Sequence, residues 1–93
     1  VKARRHTVEI EGFGPVTIKG LSCKQEEAIR REAQGDHILA TGLILRRGLI
    51  DKQVRSMTDE DFGGEHERNA VLARIANAIV ERSWGSRSRT GAI

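Results

Sequence analysis

Apolar and polar residues alternate twice near the start of the chain. In His6-Thr7-Val8-Glu9-Ile10-Glu11, Val8 and Ile10 share one face, and in Val16-Thr17-Ile18-Lys19, Val16 and Ile18 do the same. Gly12-Phe13-Gly14-Pro15 between them is a turn cluster, so the pattern predicts a β-hairpin. A lone two-stranded ribbon is unstable in water. Its apolar face must therefore lie on the helices that follow, or on a partner's sheet.

Past Gly20 the period lengthens to that of a helix. Ser22 is the expected N-cap and Gln25 completes a capping box, which starts a helix over 23–34. This helix is highly charged, with Glu26–Arg30 and Glu27–Arg31 in the favourable i,i+4 order and only Ala28, Ile29 and Ala33 as an apolar side, so a peripheral place is expected. Gly35 stops it, and Asp36 caps a second helix reaching residue 49 or 50. That helix carries three apolar stripes: Ile38, Leu45 and Leu49; Leu39, Leu43 and Ile50; Ala40 and Ile44. A helix apolar nearly all round is central or sandwiched. A chain this small lacks the material to cover every side, so part of that surface is expected to meet another chain.

Residues 51–61 read as polar and irregular, with a short helix start capped by Thr58 and followed by Asp59, Glu60 and Asp61. After Gly63-Gly64 the last helix is expected over 65–83. Val71, Leu72, Ile75, Ala76, Ala78 and Ile79 form its core stripe, and Val80 and Trp84 fall on another side. Residues 85–93 have linker composition and are expected to form a mobile basic tail. The expected fold is α+β, mostly α: one domain over 1–84, an N-terminal β-hairpin followed by three main helices.

Length and composition narrow the function. Ninety-three residues make one small domain, which buries roughly 60–65% of its unfolded surface. Two Phe, one Trp and no Tyr leave the core to aliphatic residues and provide no stacking platform for single-stranded nucleic acid. One cysteine excludes an internal disulfide framework and a thiolate zinc site, and suggests a reducing compartment. No apolar run reaches the roughly 18 residues of a membrane span, and the charged start leads into no apolar stretch, so no secretory leader is expected.

Candidate chemistry is sparse. His6, His37 and His66 are scattered, and Glu65-His66-Glu67 on consecutive helical positions point apart, so no metal or cofactor is expected. Cys23 at the first position of a helix lacks a base, and is read as a small residue tucked behind the hairpin. Gly12-Phe13-Gly14 is hairpin punctuation, without the helix and Lys-Ser/Thr of a phosphate loop. No catalytic constellation stands out, and no enzyme is expected. Sixteen Lys+Arg against thirteen Asp+Glu give a net charge of +3. The basic groups at Lys2-Arg4-Arg5, Arg46-Arg47 and Arg82-Arg87-Arg89 make nucleic-acid binding the runner-up. It is disfavoured because Arg46 and Arg47 lie amid apolar residues and the outer face of the last helix is mixed.

The order of elements resembles the tail assembly chaperones of long-tailed bacteriophages and prophages. The likeness rests on the ribbon Val8–Gly20 leading to Leu21-Ser22, the charged helix at 24–33, the aliphatic helix at 38–45, the loop at 54–61 and the closing helix at 69–81, and it covers about residues 7–84. Gly63-Gly64 and the basic tail depart from the pattern. The resemblance implies a non-catalytic assembly factor of the host cytoplasm, absent from the finished virion. Such a factor would self-associate and bind the tape-measure protein and tail-tube subunits. A virion structural connector is a further alternative. The residues expected to meet partners are Leu43, Ile44, Arg46, Arg47 and Leu49, with Val80 and Trp84 as a second patch. Many weak contacts along a long client would act through avidity.

Overall fold

The computed structural model describes residues 5–85, with the Trp84 side chain outside the description. Two antiparallel strands, β1 (Arg5–Ile10) and β2 (Gly14–Lys19), open the chain. Five helices follow: α1 (Cys23–Ala33), α2 (His37–Gly48), α3 (Lys52–Arg55), α4 (Asp59–Phe62) and α5 (Glu65–Val80). A π-helical turn at Glu81–Gly85 ends the described chain. The fold is α+β, mostly α, with three main helices, as the hydrophobic pattern predicts. Two of the helices are single turns. The tail expected from residue 85 onward lies, beyond that residue, outside the described residues.

The hairpin register pairs Val8 with Val16 and His6 with Ile18, so the predicted apolar face is real. Val16 and Ile18 are fully buried, and both strands pack on α5. At the tip, Phe13 donates its N–H to the Ile10 carbonyl (2.9 Å), closing a turn with Gly12 at φ +78° in its third position. Phe13 stacks on Phe62 of α4 at 5.4 Å between ring centroids, and Arg74 of α5 donates to the Glu11 carbonyl at 2.9 Å. The outer edge of β2 is covered as well. Leu49 forms a one-residue bridge to Ile18, and the Thr17 N–H donates to the Asp51 carboxylate at 3.2 Å.

The caps are those read from the sequence. Ser22 Oγ accepts from the Gln25 N–H, and Gln25 Oε1 accepts from the Ser22 N–H. Asp36 accepts from the N–H groups of Ile38 and Leu39. Asp51 caps α3, a single turn within the stretch expected to be irregular, since four residues carry no periodicity. The first helix turns Glu26, Ile29 and Ala33 inward. Glu26 is buried because it shares the stripe that Ile29 and Ala33 define.

Two sequence expectations are corrected here. Cys23 is exposed rather than tucked behind the hairpin. Leu21 takes the buried position, anchored by its N–H donating to Ser83 Oγ at 2.7 Å, and the Ser22 cap carries Cys23 outward. The second helix ends at Gly48, so Leu49 is an extended residue and not part of a helical stripe with Ile38.

The inward side of α2 is its least bulky stripe, Ala40–Ile44–Gly48, with Ile44 6% exposed. Small residues let α2 approach α5 closely. A Cβ built at Gly48 would lie 2.6 Å from the Ile79 side chain, which is fully buried. At the other end, His37 and Ile38 share a groove with Asn69 and Leu72. N-terminal halves thus lie together, as do C-terminal ends, so α2 and α5 run parallel. The segment 49–64 crosses back over the edge of β2 to connect them.

Candidate interaction surfaces

The parallel α2–α5 pair gives the molecule two unlike ends. At the α2 N-terminus the surface is apolar. Ile38 is 86% exposed and Leu39 44%, and these are the large hydrophobic residues that stand most in solvent among those described. Ile38 borders a groove of about 490 Å³ between α2 and α5, lined also by Thr41, Gly42, Leu45 and Leu72. A second groove of about 340 Å³, between α1 and α2, is lined by Ile29, Ala33, Ala40, Thr41 and Ile44 among others. The two flank the exposed first turns of α2.

Gly42 lies within this surface. An interior helical glycine costs roughly 0.5–1 kcal/mol relative to alanine. Here nothing lies within 4 Å of where a Cβ would stand, so packing inside the chain does not require it. The same helix holds Gly48, where packing does.

At the α2 C-terminus the surface is basic. A cleft of about 620 Å³ is lined by Lys19 of β2, Gln25 and Glu32 of α1, Leu43, Arg46 and Arg47 of α2, Ile50, and Arg55 of α3. Four cations face one carboxylate, in a chain whose net charge is only +3. The ion pair of Arg68 with Asp59 (3.5 Å) joins α5 to α4 and involves none of the residues lining this cleft. Arg55 reaches only the Leu49 carbonyl, at 3.4 Å. The sequence reading placed Arg46 and Arg47 amid apolar residues. The fold instead turns both outward, where they meet Lys19 and Arg55, residues distant in the chain.

The residues expected at a partner surface therefore separate. Arg46 and Arg47 are exposed, and Leu43 is half-buried at the rim of the basic cleft. Ile44 (6% exposed) and Leu49 (5%) belong to the core, which corrects their assignment: Ile44 is buried on the side of α2 that borders Ile29 and Ala33 of α1, and Leu49 seals the edge of β2. Val80 is half-buried against the same core rather than standing apart. The Trp84 side chain lies outside the described residues.

Sequence reasoning missed Ile38 and Leu39 as the exposed pair, and Lys19 and Arg55 as companions of the arginines. The apolar excess of the second helix was the available signal. It could not show which end α5 and α1 leave open.

Among the described residues no three His, Cys, Asp or Glu side chains gather around a site that could hold a metal ion. No helix of the described residues is long and apolar enough to cross a membrane. No known protein family matches the chain, and neither a curated protein nor a solved structure matches it.

Proposed function

We propose that this chain is a non-catalytic assembly factor that binds an extended helical client through the N-terminal half of α2. On the resemblance of its element order, that client is the tape-measure protein of a long phage tail, with tail-tube subunits as further partners and the host cytoplasm as the place of action. The observation that carries the reading is the exposed pair Ile38 and Leu39 beside two apolar grooves. An amphipathic client helix recognises such a surface by laying its apolar face into a groove. Gly42, open to solvent within that face, allows a client backbone to approach closely.

The test is co-expression of the chain with the tape-measure protein of its own genome. The expected result is a soluble complex that survives purification, and loss of that complex for Ile38→Asp with the circular dichroism spectrum unchanged. A natively folded chain that leaves the tape-measure protein insoluble and unbound would overturn the proposal.

A further inference from the structure

The basic cleft has a complement on the same molecule, at the opposite end. The N-termini of α2 and α5 and the whole of α4 gather Asp36, Asp59, Glu60, Asp61, Glu65 and Glu67, all exposed. Cations lie at that end too: Arg68 pairs with Asp59, Arg74 donates to the Glu11 carbonyl, and Arg30 borders the groove beside Asp36. Glu60 and Glu65 cap nothing and join no ion pair among the described residues. The acidic and basic ends are separated by the length of α2, whose 12 residues span about 18 Å. That exceeds the Debye length of about 10 Å at 0.1 M salt. The acidic corner of the same chain is therefore too far away to neutralise the cleft, which holds Glu32 as its one carboxylate.

We propose that the basic cleft of Lys19, Arg46, Arg47 and Arg55 takes the acidic α4–α5 corner of a second copy, in a head-to-tail contact. The inference rests on the assembly reading above and specifies how copies adjoin. Four cations drawn from β2, α2 and α3 repel one another in the isolated chain, and a carboxylate-rich surface relieves that repulsion. Copies joined head to tail use different patches on each side, so the contact repeats and forms an open row instead of a closed dimer. The apolar grooves open beside the first turns of α2, and the copy is taken by the carboxylates of α4 and the first turn of α5.

The experiment is sedimentation equilibrium of the full chain at two salt concentrations, with two charge-reversed variants. The unmodified chain should associate more strongly with rising concentration at about 0.1 M salt. At about 1 M, where screening acts within about 3 Å, association should weaken about tenfold or more. Arg46→Glu/Arg47→Glu leaves Lys19 and Arg55 against three carboxylates in the cleft, and Glu60→Lys/Glu65→Lys/Glu67→Lys leaves three carboxylates at the corner against three lysines with Arg68 and Arg74, so the first is acidic and the second basic at both ends and each alone should be monomeric. Mixed in equal amounts, they should associate again, because every contact in an alternating row joins opposite charges. The neutral variant Arg46→Gln/Arg47→Gln, checked by circular dichroism, covers the case in which reversal disturbs the fold.

The proposal is overturned if the unmodified chain stays monomeric at low salt, if a folded single variant associates as well as the parent, or if the mixture does not recover. It is equally overturned if a monomeric chain binds a short DNA duplex through Arg46 and Arg47, which would make the cleft a phosphate-binding surface. Failure here is separable from failure of the client proposal. Ile38→Asp should abolish client binding and keep the salt-sensitive association, and the cleft variants should remain competent for a single client contact.

Discussion

Gly42 and Gly48 occupy one helix and should respond to the same substitution with opposite signs. Gly42→Ala adds a methyl group to open space and restricts the unfolded chain, so the isolated domain should gain roughly 0.5–1 kcal/mol. That corresponds to a rise of up to about 4–8 °C in Tm for a domain of this size. Gly48→Ala drives a methyl group into Ile79, which is fully buried and has no free space to move into, so a loss of about 1–3 kcal/mol is expected. Thermal unfolding of both variants checks the pair. If Gly42→Ala also weakens client binding while raising Tm, the glycine is kept for a partner. Ser83, 8% exposed, is a second position with a sharp expectation. Its hydroxyl donates to the Ile79 carbonyl at 2.8 Å and accepts from the Leu21 N–H at 2.7 Å. Ser83→Ala leaves a buried N–H unpaired, and urea unfolding should register a loss of about 1–3 kcal/mol.

At the scale of elements, the crossover at 49–64 holds the hairpin and the helices together. Asp51 links the two directly. One carboxylate oxygen accepts from the Gln53 and Val54 N–H groups at the start of α3, and the other accepts from Thr17 on β2. Asp51→Ala should cost about 1–2 kcal/mol as a lost cap. It should also speed hydrogen exchange at the Thr17 amide more than at amides in the middle of α5. Equal acceleration everywhere would mean that Asp51 contributes only to global stability. Little of this connection was legible in the sequence. Ser22 with Gln25, Asp36 and the alternation in the hairpin act over two to four residues, and a linear reading finds them. The pairing of Asp51 with Thr17 spans 34 positions, and nothing local marks it.

For the whole molecule, the division between core and surface along α2 is the decisive result, and it can be tested with one chemical change at two positions. Ile44→Asp places a charge in the buried core and should abolish folding, with a loss of about 4 kcal/mol or more, since a buried unpaired charge is among the largest single-site penalties. Ile38→Asp alters an exposed side chain and should stay within about 0.5 kcal/mol of the parent in urea unfolding. A folded Ile44→Asp protein would show that the helix is rotated from the orientation described. The polarity of the molecule, apolar and acidic at one end of α2 and basic at the other, follows from α2 and α5 running parallel. Carboxylates near helix N-termini and arginines near C-termini each complement the local dipole. Parallel packing brings these local preferences together at two opposite ends.

The hydrophobic period, the caps and the turn residues determined by themselves that this chain makes a hairpin and three main helices, and that its second helix carries more apolar surface than a small domain needs. These features are set by backbone and side-chain preferences that act within one or two turns. Only the tertiary structure decided which apolar residues go inside. The choice fell on Ile44 and Gly48, and at Gly48 the absence of a side chain lets α2 come close to the fully buried Ile79 of α5. Ile38 and Leu39 were left outside by the same choice, although no less apolar. The gathering of Lys19, Arg46, Arg47 and Arg55 was likewise decided by the chain's path through space, since charges so far apart in sequence have no influence on one another until the fold joins them.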